Sequence, residues 1–243
     1  MLAKALCISV ATLSHALMIR PPKSSRSAQK TKTDKIKSED SLLAKPFYPY
    51  FLMGATLFQG ALYLFFMAQS SGRTDREIQQ LKELRNWHIV ATLLSVGACA
   101  LRKWSFTTLD RFFTYQLTIR SGHRLVQTGP YKYLLHPSYT GLVGCCISVW
   151  TLLWHQGLFD VLSAFLSHIA IPLSVPHHHA MMTKTGYAFG ISGGIWVAML
   201  MTSIIMTQFI TRIKEEEVML KEHFGTEWDQ HASKRWRLIP FVY

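Results

Sequence analysis

Charge is what this sequence has least of: Asp, Glu, Lys and Arg make up 16% of its 243 residues, against 49% hydrophobic. A soluble domain of this length carries nearer a quarter charged residues, so the composition excludes an ordinary globular domain and points to a membrane protein. Cysteine is sparse too. Cys7, Cys99, Cys145 and Cys146 all fall in apolar runs, and no CxxC spacing occurs. That pattern excludes a disulfide framework and a zinc site, and leaves the thiols as small buried hydrophobes. Aromatic residues are missing from the lysine-rich stretch 20–45, which argues against nucleic acid as its partner. No internal repeat is visible.

What is present is apolar length. Runs 1–19, 47–69, 87–101, 139–156 and 187–210 are nearly free of charge, Lys4 being the only charge in the first. A span needs about 20 mainly apolar residues, and 87–101 is the shortest of the five. The basic flank Arg20, Lys23, Arg26, Lys30, Lys32 follows the first run rather than preceding it. This favours a retained anchor helix with its C-terminal end in the cytosol. Residues 20–45 then read as a flexible cytosolic loop drawn to anionic lipid headgroups. Segment 102–138 is basic again, as a cytosolic loop should be. Stretch 158–175 is apolar but carries Asp160, His168 and Pro172, and 157–186 holds one Lys or Arg, Lys184. We read 158–175 as interfacial or re-entrant. The expected fold is all-α: a polytopic membrane protein of about five transmembrane helices, N-terminus out, with a cytosolic C-terminal helix.

Two polar constellations interrupt this scheme. The first is QLTIRSGHRLVQTGPYKYLLHPSYTG, residues 116–141. Gly122, Gly129 and Pro130 impose turns, and Pro137 suits the first turn of the next helix, where no N–H donor is lost. That start presents free backbone N–H groups beside His136, Tyr131, Tyr133 and Tyr139, a setting for an anionic or planar ligand. A belt of interfacial tyrosines would read the same way. The second is residues 212–243, after the last span. At about 100° per residue, Phe209, Ile213, Leu220 and Phe224 form an apolar stripe, flanked by Arg212, Glu216 and His223, with Gly225 as the helix stop. Arg212 and Glu216 are an i, i+4 pair, which is also what a surface ion pair looks like. Lys214, Glu215, Lys221 and Glu222 point elsewhere. The adjacent His177, His178 and His179 lack metal-ligand spacing, and no metal is expected. Glycines 190, 193 and 194 serve close helix packing, which could include a second copy of the chain.

Together the two constellations resemble the isoprenylcysteine carboxyl methyltransferase family over Gln116–Gly141 and Arg212 to about Pro240. The resemblance implies an endoplasmic reticulum enzyme that methylates the C-terminal carboxylate of prenylated proteins with S-adenosylmethionine, its site facing the cytosol. It carries cofactor contacts onto Gln116, His123, Arg124, Leu125, Val126, Tyr131, His136, Pro137, Ser138, Tyr139 and Glu216, and the substrate carboxylate onto Arg212. It divides the chain into an anchor region, 1–115, and a catalytic region, 116–243. Where the family reads Arg-His-Pro, this chain has Leu135-His136-Pro137, and Arg124 and Lys132 are the nearby cations. Two other enzyme classes share parts of the pattern. A phosphatidylethanolamine N-methyltransferase gains nothing from an arginine clamp on its neutral amine nucleophile. A sterol-type reductase shares the RLIPFVY ending but fits the EEE run at 215–217 less well. A non-enzymatic membrane adaptor is the third alternative.

Overall fold

The computed structural model describes residues 1–19, 47–69, 81–113, 119, 122–163, 187–188 and 191–240. Its main elements are α1 (Leu2–Ile19), α2 (Tyr48–Gln69), α3 (Asn86–Leu109), α4 (Pro137–Leu153), α5 (Gly193–Phe224) and α6 (Thr226–Ala232). Among the described residues the only strands are β1 (Tyr187–Ala188) and β2 (Ile191–Ser192), a two-residue antiparallel pair. Among the described residues, five helical stretches are long and apolar enough to cross a membrane: Leu2–Ile19, Pro49–Gln69, Asn86–Phe112, Pro137–Ser163 and Gly193–Phe224. Each coincides with one of the five apolar runs, so the protein is an all-helical, polytopic membrane protein.

The boundaries follow local chemistry. Helix α4 begins at Pro137, whose ring fixes a helical φ and whose missing N–H is not needed in the first turn. Helix α5 ends at Phe224 because Gly225 takes φ +55°, a conformation that L side chains resist. The third span is the instructive difference. The hydropathy run stops at residue 101, yet α3 continues through Arg102 and Lys103 to Leu109. A buried guanidinium is tolerated there because carbonyl oxygens and a hydroxyl receive its N–H groups. Beyond Leu153 the backbone leaves helical angles at His155, Gln156 and Gly157, then resumes as helix to Ser163. Most of 158–175, the loop 20–45, Gln116, His177–His179 and Gly190 lie outside the described residues.

Contacts group the chain into two compact units. One comprises Met1–His15, Ala55–Val96 and Cys145–Ile204. In it Lys4 is buried, its ammonium 5.8 Å from the centre of the Tyr63 ring. Gly194 has no room for a side chain: a Cβ there would lie 2.1 Å from the Trp154 carbonyl oxygen, the close packing expected of the α5 glycines. None of the four cysteines forms a disulfide. The other unit comprises Ala16–Gly54, Gly97–Gly144 and Ile205–Tyr243. Here α3 and the first turns of α4 come close, a Cβ on Gly141 being placed 2.6 Å from the Ala98 carbonyl oxygen. This second unit holds the candidate site.

Candidate active site

The site is assembled around the entry to α4. Gly129, at φ +57°, starts a 3-10 turn, Gly129–Lys132, that leads the chain into residues 133–136. The C-terminal segment is stitched against this entry. Leu134 and Trp236 form a parallel bridge, and the Leu135 and His136 N–H groups donate to the Trp236 and Arg237 carbonyls at 2.8 and 3.1 Å. The Trp236 N–H donates back to the Tyr133 carbonyl at 3.2 Å, and the Thr140 hydroxyl donates to the Leu238 carbonyl at 2.7 Å. Backbone pairing of this kind fixes position without depending on side-chain rotamers.

Against this frame α5 contributes its polar flank. Arg212 Nε–H donates to the Tyr139 hydroxyl at 3.0 Å, and that hydroxyl donates to Glu216 Oε2, also at 3.0 Å. His136 Nε2 lies 3.1 Å from Glu217 Oε1; a carboxylate only accepts, so the imidazole proton belongs on Nε2. Arg237 Nε–H donates to the same Glu217 oxygen at 3.1 Å. Glu216 and Glu217 are thus both engaged, one by a tyrosine and one by a histidine and an arginine.

A cavity of about 180 Å³ opens beside these groups. His123, Arg124, Leu125, Val126, Tyr131, His136, Ser138, Tyr139, Arg212 and Glu216 all line it, although α5 and the α4 entry are some seventy residues apart in sequence. Pro137 is buried at the start of α4, behind this wall. Gln116 is outside the described residues. His223 is exposed, on the flank expected for it but away from the lining. Three arginines and one carboxylate line the cavity, with Leu109, Phe112, Phe209, Met219 and Trp228 as apolar walls. Such a lining suits a ligand with a planar apolar part and charged ends. Tyr131 stays protonated, its phenol held well above the usual range by burial and then by the Glu216 carboxylate. His231, also lining the cavity, is pushed down to about 4 by burial first and Arg235 second, so it is neutral near pH 7.

Residues 90–173 match the profile of the isoprenylcysteine carboxyl methyltransferase (ICMT) family. The chain is also 24% identical, over 165 residues, to proteins from rice (Oryza sativa, subspecies indica and japonica) each named a probable protein-S-isoprenylcysteine O-methyltransferase. That match takes in 67% of this chain and 66% of each rice protein. Protein-S-isoprenylcysteine O-methyltransferase B of Arabidopsis thaliana is 27% identical over 153 residues, 62% of this chain and 57% of its own. No solved structure matches the chain.

Several site residues escape sequence reasoning. Arg102 lines the cavity from α3, but at the end of an apolar run it reads as an ordinary cytosolic flank. Glu217 is hidden among three consecutive glutamates, and only its tertiary contacts to His136 and Arg237 separate it from Glu215. Trp228 and His231 sit on the short α6 with buried, stacked rings (centroids 5.8 Å apart), and their i, i+3 spacing is the signal a helical projection could have raised.

Proposed function

We propose that this chain transfers a methyl group from S-adenosylmethionine to the C-terminal carboxylate of a prenylated cysteine, in the endoplasmic reticulum membrane with its site facing the cytosol. The observation that carries the reading is that the α4 entry and the α5 flank converge on one cavity, with the Tyr139 hydroxyl between Arg212 and Glu216. The similarity of residues 90–173 to the methyltransferase family supports it. In this reading 116–243 is the catalytic region and 1–115 chiefly the anchor, although Ile19, Pro49, Leu52 and Arg102 also face the cavity.

S-adenosylmethionine, when bound, supplies an electrophilic methyl on a sulfonium. The carboxylate nucleophile, with a pKa of about 3.5, is already ionised near pH 7, so the protein has no proton to remove. Its task is to hold nucleophile and methyl in line and to keep water out. The planar fork of Arg212 suits the substrate carboxylate, which it orients rather than protonates. Glu216 suits the ammonium or ribose hydroxyls of the methyl donor. The neutral ring of His231, stacked on Trp228 in the cavity wall, suits an uncharged heterocycle. A prenyl chain reaches such a site through lipid, which gives a methyltransferase reason to be built in a membrane.

The test is transfer of a labelled methyl group from S-adenosylmethionine to N-acetyl-S-farnesylcysteine by membranes carrying the chain. A base-labile ester should form. Arg212→Ala should lower kcat/KM by about 30-fold or more, as expected for losing one partner of a desolvated charge pair, while methyl-donor binding survives. Glu216→Ala should weaken donor binding. Donor binding without ester formation would redirect the search to lipid amines or to an inactive scaffold.

A further inference from the structure

The resemblance leaves a position to be filled: Leu135 stands where a cation is expected. Neither sequence neighbour fills it from a buried site. Arg124 is exposed, and Lys132 is exposed with its ammonium 5.6 Å from the Tyr133 ring centre and does not line the cavity. His136 is already committed to Glu217.

Arg102 is placed differently. It comes from α3 and is only 7% exposed. Gly141 lets α3 approach the first turns of α4, since any side chain at 141 would strike the Ala98 carbonyl or the Arg102 backbone. At that distance Arg102 Nη1 donates to both the carbonyl and the hydroxyl of Ser138, at 2.9 and 2.8 Å. Nε–H donates to the Met18 carbonyl at 3.4 Å, and the guanidinium stands 4.8 Å from the Phe106 ring centre. These bonds fix the plane of the group. Nη2 has no partner among the described residues, none of the described carboxylates pairs with Arg102, and the residue faces the cavity. A buried cation that lines a cavity and keeps one N–H edge unpaired among the described residues is an incomplete ion pair, which an anion of matching geometry would complete.

We propose that Arg102 is the carboxylate anchor of the cavity, its Nη2 edge taking the α-carboxylate of the methyl donor's amino-acid end. This rests on the methyltransferase reading and assigns to α3 the cation that the α4 entry lacks. Arg212 is left for the substrate carboxylate, so that the two carboxylates of the reaction have separate guanidinium partners.

The experiment measures binding of S-adenosylhomocysteine, and of the analogue with its carboxylate replaced by hydrogen, to the detergent-solubilised full chain. The unaltered protein should prefer the carboxylated ligand by about 10- to 100-fold, the range for a hydrogen bond to a charged group. Arg102→Met should erase that preference and leave affinity for the decarboxylated analogue within about twofold of its original value, on the same principle. Arg102→Lys, which keeps the charge should the methionine variant fail to fold, should lose part of the preference. Lys132→Met should leave both affinities as they were. A preference that persists in Arg102→Met or is undiminished in Arg102→Lys, or an equal loss for both ligands, overturns the assignment while the methyltransferase reading stands. Binding of neither ligand by the unaltered protein overturns both.

Discussion

At the scale of single residues the site is governed by one hydroxyl. Tyr139 accepts from Arg212 and donates to Glu216, so it sets the spacing between the groups assigned to substrate and methyl donor. Tyr139→Phe should lower kcat/KM by about 5- to 30-fold, the effect of one or two hydrogen bonds to charged partners, as read by steady-state methyl transfer. Milder damage to both ligands, rather than loss of one, is the expected signature. His231 supplies a second residue-scale prediction. Its folded value of about 4 lies below the ordinary histidine value of about 6.5, so between those limits the unfolded chain binds the extra proton. Stability should therefore be fully present above about pH 6.5 and be lost as pH falls toward 4. Thermal melting of the detergent-solubilised protein at several pH values should show that slope, and His231→Phe should flatten it.

At the scale of elements, the reading of α4 from sequence succeeds where its determinants are local. Pro137 marks a helix start and Gly225 a helix stop through their own backbone preferences, and neither needs a partner to be understood. The extension of α3 past Arg102 was not legible for the opposite reason. Hydropathy records an arginine as a boundary, whereas the carbonyl and hydroxyl oxygens that receive it lie on α1 and α4. The same holds for Glu217, whose difference from Glu215 exists only once His136 and Arg237 arrive. The close passage of α3 and α4 at Gly141 gives the element-scale prediction. Gly141→Ala would set a methyl against the Ala98 carbonyl oxygen and should destabilise the protein by about 1–3 kcal/mol, the usual effect of overpacking. Chemical or thermal denaturation in detergent should show the loss, and donor binding should weaken with it because Arg102 is displaced.

At the scale of the molecule, composition already announced the setting. Five stretches of helix long enough to span lipid agree with a chain in which fewer than one residue in five is charged. The protein should accordingly stay in the membrane pellet through an alkaline carbonate wash and leave it only with detergent. Recovery in the carbonate supernatant would contradict the spanning assignment. What composition could not convey is convergence: segments near residues 102, 136, 212 and 231 meet on one cavity through tertiary contact alone.

The stitching of residues 133–140 to residues 236–238 has a consequence in time. Thr140 and Leu238 are 98 residues apart. At the pace of synthesis, about 5–20 residues per second, the entry to α4 waits roughly 5–20 seconds before the segment that pairs with it exists. During that interval its backbone N–H groups and apolar wall have no native cover. The nascent protein must pass through a stage in which its helices are made but it has no capacity to bind a ligand, and a premature stop before residue 236 would leave it there.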